Sequence, residues 1–126
     1  MNRTHLEGAA EKLTAQRAYT FYTGPEDDMG HTVRNYPAAW LAPPELHAVE
    51  GRTHGRATYD MTLHLLRPGA RISPAERRTA LAEMEAQMIE IFAELSLVER
   101  ILAVARRSVR PRSFSLTPHG EISQTA

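Results

Sequence analysis

A chain of 126 residues with 15 basic and 15 acidic side chains has no net charge to steer it toward nucleic acid or an anionic membrane. Its hydrophobic fraction of 42% and charged fraction of 24% are those of a globular protein, not of a disordered or fibrous one. The absence of cysteine excludes disulfides, thiolate catalysis and cysteine-based zinc sites. We therefore expect a single domain over residues 1–126.

The first residues lack the apolar core of a secretory signal. No window approaches the roughly 18 apolar residues that a membrane span needs. We expect a cytoplasmic protein that makes no membrane contact.

The first predicted element is a short helix over residues 5–16. Thr4 and Glu7 have the spacing of a capping box, in which each side chain bonds to the other residue's backbone N–H. Apolar residues then recur at helical spacing, namely Leu6, Ala9, Ala10 and Leu13. This thin apolar stripe indicates a helix that lies against a sheet or a neighbouring subunit.

A strand is predicted over residues 18–23, where Tyr19 and Phe21 alternate with threonine and tyrosine. Gly24-Pro25 ends it, and the acidic run Glu26-Asp27-Asp28 follows. This run lacks the alternating ligands of an EF-hand, so we interpret it as a solvated turn.

The segment from Tyr36 to Pro44 predicts an edge strand followed by an extended Pro43-Pro44 pair, because proline cannot donate to a central ladder. Trp40 has two interpretations here: it anchors the core, or it is an exposed aromatic that contacts a neighbouring subunit. Residues 45–50 predict another strand, with Leu46 and Ala48 on one side.

The clearest alternation predicts one strand over residues 57–66. Its apolar face is formed by Tyr59, Met61, Leu63 and Leu65. The opposite face is polar, as in an antiparallel sheet with one solvated or interfacial side.

The strongest local signal is Ser73-Pro74-Ala75-Glu76, which combines a capping serine, a proline at the first helical position and a capping-box glutamate. A long helix follows, whose apolar residues are spaced by three and four: Leu81, Met84, Met88, Ile91, Leu95, Val98 and Leu102. This spacing fits a coiled-coil seam, but the additional Ile89, Phe92 and Ile101 widen the stripe and favour a helix packed on a sheet. Ser96 is a plausible end or bend, and residues 97–104 fit a second helix or a strand.

The tail contains an arginine cluster, Arg106, Arg107, Arg110 and Arg112. It could contact nucleic-acid phosphate or an acidic partner, or it could simply complement a helix C-terminus. We favour the second interpretation, because exposed aromatics are not interleaved with the arginines. Residues 113–117 predict a strand, and residues 121–126 predict the start of a returning strand.

No pattern in the sequence assembles an enzyme site. The six histidines do not have a compact ligand spacing, so we predict no metal site. No nucleophile elbow, P-loop or dinucleotide-binding glycine motif occurs. We predict that the chain is not an enzyme and binds no cofactor.

Together these elements predict an α+β fold, with a mainly antiparallel sheet of about four strands packed against one long and one short helix. Their order resembles that of small tail proteins of bacterial prophages, most closely tail-terminator and tail-completion proteins. The resemblance is carried by Tyr22-Thr23-Gly24, residues 36–44, residues 59–66, the long helix and residues 113–117.

The resemblance implies a subunit without catalytic residues that assembles into a ring, often a hexamer, at the head-facing end of the tail tube. Such a ring stops tube polymerisation and meets the head connector, so tail-tube and head-connector proteins are the implied partners. Trp40, Pro43, Pro44 and the four arginines are the candidate contacts with subunits or partners. The chain departs from the family pattern at its C-terminus, where the last strand looks truncated at Ala126.

A second hypothesis remains open from the residues alone. It is a small regulatory module that dimerises through the apolar seam between Met84 and Leu102 and contacts nucleic acid through the arginine cluster.

Overall fold

Short strands, three α-helices and a 3-10 helix make up the described parts of the chain. The computed structural model describes residues 3–51, 56–69, 72–98, 110–111 and 122–125. Its elements are α1 (Arg3–Ala15), β1 (Thr20–Thr23), a 3-10 helix (Glu26–Asp28), α2 (Met29–Thr32), β2 (Ala38–Leu41), β3 (Glu45–Glu50), β4 (Arg56–Asp60), β5 (Leu63–Arg67), α3 (Pro74–Leu95), β6 (Arg110–Pro111) and β7 (Ile122–Thr125). The predicted α+β class is confirmed.

The main sheet has five strands in the order β1-β2-β5-β7-β6, and β3 pairs with β4 in a separate two-stranded sheet. All pairs are antiparallel except β1 with β2, which is parallel. The strand count therefore differs from the expected four. Residues 24–37, which include the 3-10 helix and α2, form the connection that a parallel pair requires.

The helix that begins after Ser73 packs on the sheet, as predicted. The Ser73 hydroxyl accepts the Glu76 backbone N–H at 3.1 Å, and Pro74 is the first helical residue. One core lies between α1, α3 and the sheet, and it contains Leu6, Ala10, Leu13, Tyr19, Ala39, Leu41, Leu63, Leu65, Met84, Met88, Ile91, Phe92 and Leu95. The seam residues Met84, Met88, Ile91 and Leu95 are thus buried within their own chain.

β2 is a central strand, so the prediction of an edge strand is wrong. It lies between β1 and β5, and all four of its residues are buried. This is possible because Pro37 precedes the strand and Pro43 follows it, which leaves no proline at a ladder position. A second, smaller core covers its other face, with Met29, Val33, Ala38, Trp40 and Leu66.

The strand predicted over residues 57–66 is broken at Met61 and Thr62 into β4 and β5, which belong to different sheets. Leu63 and Leu65 still face α3, while Tyr59 packs at the margin of that core.

The ends of the helices differ in how well the sequence predicted them. α1 begins at Arg3, so Thr4 lies within the helix and the predicted capping box is wrong, because an N-cap residue has non-helical dihedrals. α3 ends at Leu95 with Ser96 as its C-cap, as predicted. The choice of helix or strand for residues 97–104 falls largely outside the described residues, as does the strand predicted at 113–117.

The returning strand at the C-terminus is confirmed as β7, which pairs with both β5 and β6 and so is not an edge strand. Within the part of the chain that the structure describes, no helix has the length and apolarity to cross a membrane.

Candidate assembly surface

β3 and β4 continue the β2–β5 hairpin beyond the main sheet. The Ala42 amide donates to the Thr62 carbonyl at 3.1 Å, and strand pairing resumes with Glu45 opposite Asp60. We call β3 and β4 together the arm. Its described contacts are chiefly between its own two strands, apart from Tyr59, which packs against the core under α3.

Two prolines separate the arm from the main sheet. Neither Pro43 nor Pro44 has a backbone N–H, so the ladder between β2 and β5 cannot run without interruption into the arm. Both candidate contact prolines lie at the base of the arm, between β2 and β3. Pro43 is exposed there, whereas Pro44 is buried.

A bulge in β3 sorts the side chains of the arm into two faces. The register shifts between Leu46, which pairs with Tyr59, and Ala48, which pairs with Thr58. Val49 then pairs with Ala57. Because Ala57 and Tyr59 are two residues apart and paired residues share a face, Leu46, Val49, Ala57 and Tyr59 lie on one side of the arm. The expectation that Leu46 and Ala48 share a face is wrong, since the bulge resets the alternation.

The outer part of this apolar face is open to solvent. Leu46 is 52% exposed and Val49 is 65% exposed, while Ala57 and Tyr59 are partly buried. Two further large apolar side chains are exposed in the described residues, Ile89 on α3 and Leu97 just after it. Because the exposed residues of the arm share one face of a small sheet, the arm is the candidate assembly surface.

Trp40 anchors β2, the strand that leads into the arm. Its indole N–H donates to the Gly24 carbonyl at 3.0 Å, and its ring stacks on Tyr22 with centroids 6.3 Å apart. The Tyr22 hydroxyl in turn accepts the backbone N–H groups of Arg34 and Asn35. Trp40 is 1% exposed, so the structure supports its interpretation as a core anchor and not as a partner contact.

A buried histidine lies beside this anchor. His64 of β5 is the register partner of Trp40 and has no exposed surface. Its Nε2 atom lies 3.4 Å from a carboxylate oxygen of Glu26, whose side chain is half exposed. This contact between the sheet and the 3-10 helix is an ion pair only when the imidazole is protonated. No group of three or more metal-ligating side chains occurs among the described residues.

A polar network fastens α3 to β5. The Tyr19 hydroxyl donates to the Gln87 side-chain oxygen at 2.6 Å and accepts from Arg67 Nε at 3.3 Å. Arg67 also donates to Glu83 at 2.8 Å and to Gln87 at 3.0 Å. Burial raises the pKa of the Tyr19 hydroxyl, although the bond from Arg67 opposes that shift. Burial opposes the charge of Arg67, but hydrogen bonds to Glu83 and Tyr19 outweigh it and raise the pKa of the guanidinium.

A second arginine fastens the end of α1 to α3. Arg17 contacts Glu94 at 2.8 Å and Glu90 at 3.3 Å, and it also donates to the Leu13 carbonyl. The hydrogen bond to Glu94 is the main cause that raises the pKa of Arg17. Both arginine networks therefore stabilise helix packing.

The arginine cluster of the tail lies almost wholly outside the described residues. Arg110 begins β6, whereas Arg106, Arg107 and Arg112 are outside that part of the chain. Its proposed contact with nucleic acid or with a partner therefore stays a prediction.

Leu46 and Val49 were missed as surface residues by sequence reasoning. The signal that could have revealed them is their spacing of three within a predicted strand, which breaks the two-residue alternation and is typical of a bulge.

No protein-family model matches this chain, and no curated protein matches it significantly.

Proposed function

We propose that this protein is a structural subunit of a phage or prophage tail, one that closes into a ring as a tail-terminator or head–tail completion protein. The arm carries the proposal, because it presents an apolar face that the described residues leave largely uncovered. A hexamer is the expected ring, with tail-tube and head-connector proteins on its two sides. The subunit would be cytoplasmic during assembly and part of the tail in the virion.

The energetics of the arm favour a partner surface. A two-stranded sheet on its own is only marginally stable in water, and it gains stability when an apolar face is covered. Covering the exposed parts of Leu46 and Val49 would contribute on the order of 1 kcal/mol each. The formal net charge of zero adds no general electrostatic repulsion between copies.

A ring also agrees with the order of elements that resembles tail proteins. Its function would be geometric: one interface repeats around an axis, and the two faces of the ring meet different partners. No catalytic chemistry is required of the subunit.

The alternative is a dimer that associates through the apolar seam residues of α3, and it has less support. Met84, Met88, Ile91 and Leu95 already contact the chain's own sheet and helices. A zipper through these residues would require α3 to leave the core. We therefore place the self-association surface on the arm.

Three measurements test the proposal. Native mass spectrometry over a range of protein concentrations should detect a closed oligomer, and negative-stain electron microscopy should show it as a ring. In the source genome, deletion of the gene should produce tail tubes of irregular length, and re-expression should restore a uniform length. Unchanged tube lengths, with the chain absent from purified tails, would overturn the proposal. A dimer with salt-sensitive DNA binding would favour the regulatory module.

A further inference from the structure

We draw no further inference here: the strongest candidate, the apolar face of the arm on which Leu46 and Val49 are exposed, carries nothing beyond the proposed function, because nothing among the described residues shows which surface covers it.

Discussion

Leu46 and Val49 lie on the same face of β3 although they are three residues apart, because the register shifts between them. An unbroken strand would direct them to opposite sides. The bulge therefore creates a continuous apolar face on the arm, where these two residues are 52% and 65% exposed. An irregularity of the strand, rather than its alternation, defines the candidate assembly surface.

Substitutions on the arm should impair assembly and leave the fold intact. We expect Leu46→Glu and Val49→Glu to change the free energy of unfolding by less than about 0.5 kcal/mol in a non-assembling dilute solution, since both side chains are already exposed. Both should shift the oligomer toward monomer in native mass spectrometry. Ile89→Glu is the control, because it adds the same charge at an equally exposed apolar residue of α3. A ring that persists in both arm variants would exclude the arm as the contact.

Truncation of Met88 should distinguish a helix packed on its own sheet from a free zipper. Met88 is fully buried and its neighbour Ile89 is 52% exposed. Met88→Ala should destabilise the monomer by about 2–5 kcal/mol, because it leaves a cavity in the core. Ile89→Ala should cost less than about 1 kcal/mol in the same urea titration. Similar costs for the two variants would contradict the packing described for α3.

The hydrogen bond at the N-cap of α3 should contribute measurably to stability. Ser73→Ala removes the hydroxyl that accepts the Glu76 N–H at 3.1 Å, and it should lower the free energy of unfolding by about 0.5–2 kcal/mol. Ser73→Asp restores an acceptor and should recover most of that loss. Thermal or urea denaturation measures both variants. An aspartate variant as unstable as the alanine variant would argue against capping at this position.

Trp40→Phe should reveal how strongly the central strand is anchored. The change deletes the indole N–H bonded to the Gly24 carbonyl at 3.0 Å, and it leaves unfilled space in a site with 1% exposure. We expect a loss of about 2–4 kcal/mol in the free energy of unfolding. Tyr22→Phe keeps the stacked ring and removes the hydroxyl that accepts the Arg34 and Asn35 N–H groups; because both bonds are exposed to solvent, it should cost no more than about 1.5 kcal/mol. Equal costs would show that the indole bond has little weight.

We expect the folded chain to lose stability at alkaline pH as the Tyr19 hydroxyl ionises. An unfolded tyrosine ionises near pH 10.0, and burial raises the pKa of Tyr19 in the folded chain. The folded state therefore favours the protonated hydroxyl, whose contribution is complete below pH 10 and is lost as pH rises through the folded pKa. At pH 8, Tyr19→Phe should cost about 1–2 kcal/mol through the lost bonds to Gln87 and Arg67.

Urea denaturation at pH 8 and pH 11 measures this effect. The difference in unfolding free energy between the wild type and Tyr19→Phe should shrink at the higher pH. A difference that stays constant or grows would contradict the raised pKa.

Local signals in the sequence predicted the elements that depend on local chemistry. Ser73, Pro74 and Glu76 predicted the start of α3, because capping involves atoms only three residues apart. Phe92 widened the apolar stripe of that helix and so predicted a sheet as its packing partner, and it is buried in the core. Ile89, which was counted in the same stripe, is 52% exposed and does not pack there. Local signals also predicted the α+β class, the end of α3 at Ser96 and the strand at residues 45–50.

Only the tertiary structure decided which strands pair and which faces remain open. The Trp40 segment has prolines at both ends and resembled an edge strand, yet strand pairing on both sides makes it central. The continuous alternation of residues 57–66 did not reveal the break at Met61 and Thr62, because each half alternates correctly and differs only in its distant partner. The apolar face of the arm arises from the register with β4. Residue type and spacing determine the local conformation of a strand, whereas strand pairing and burial depend on segments that are remote in sequence. The candidate assembly surface arises from strand pairing, so only the tertiary structure could reveal it.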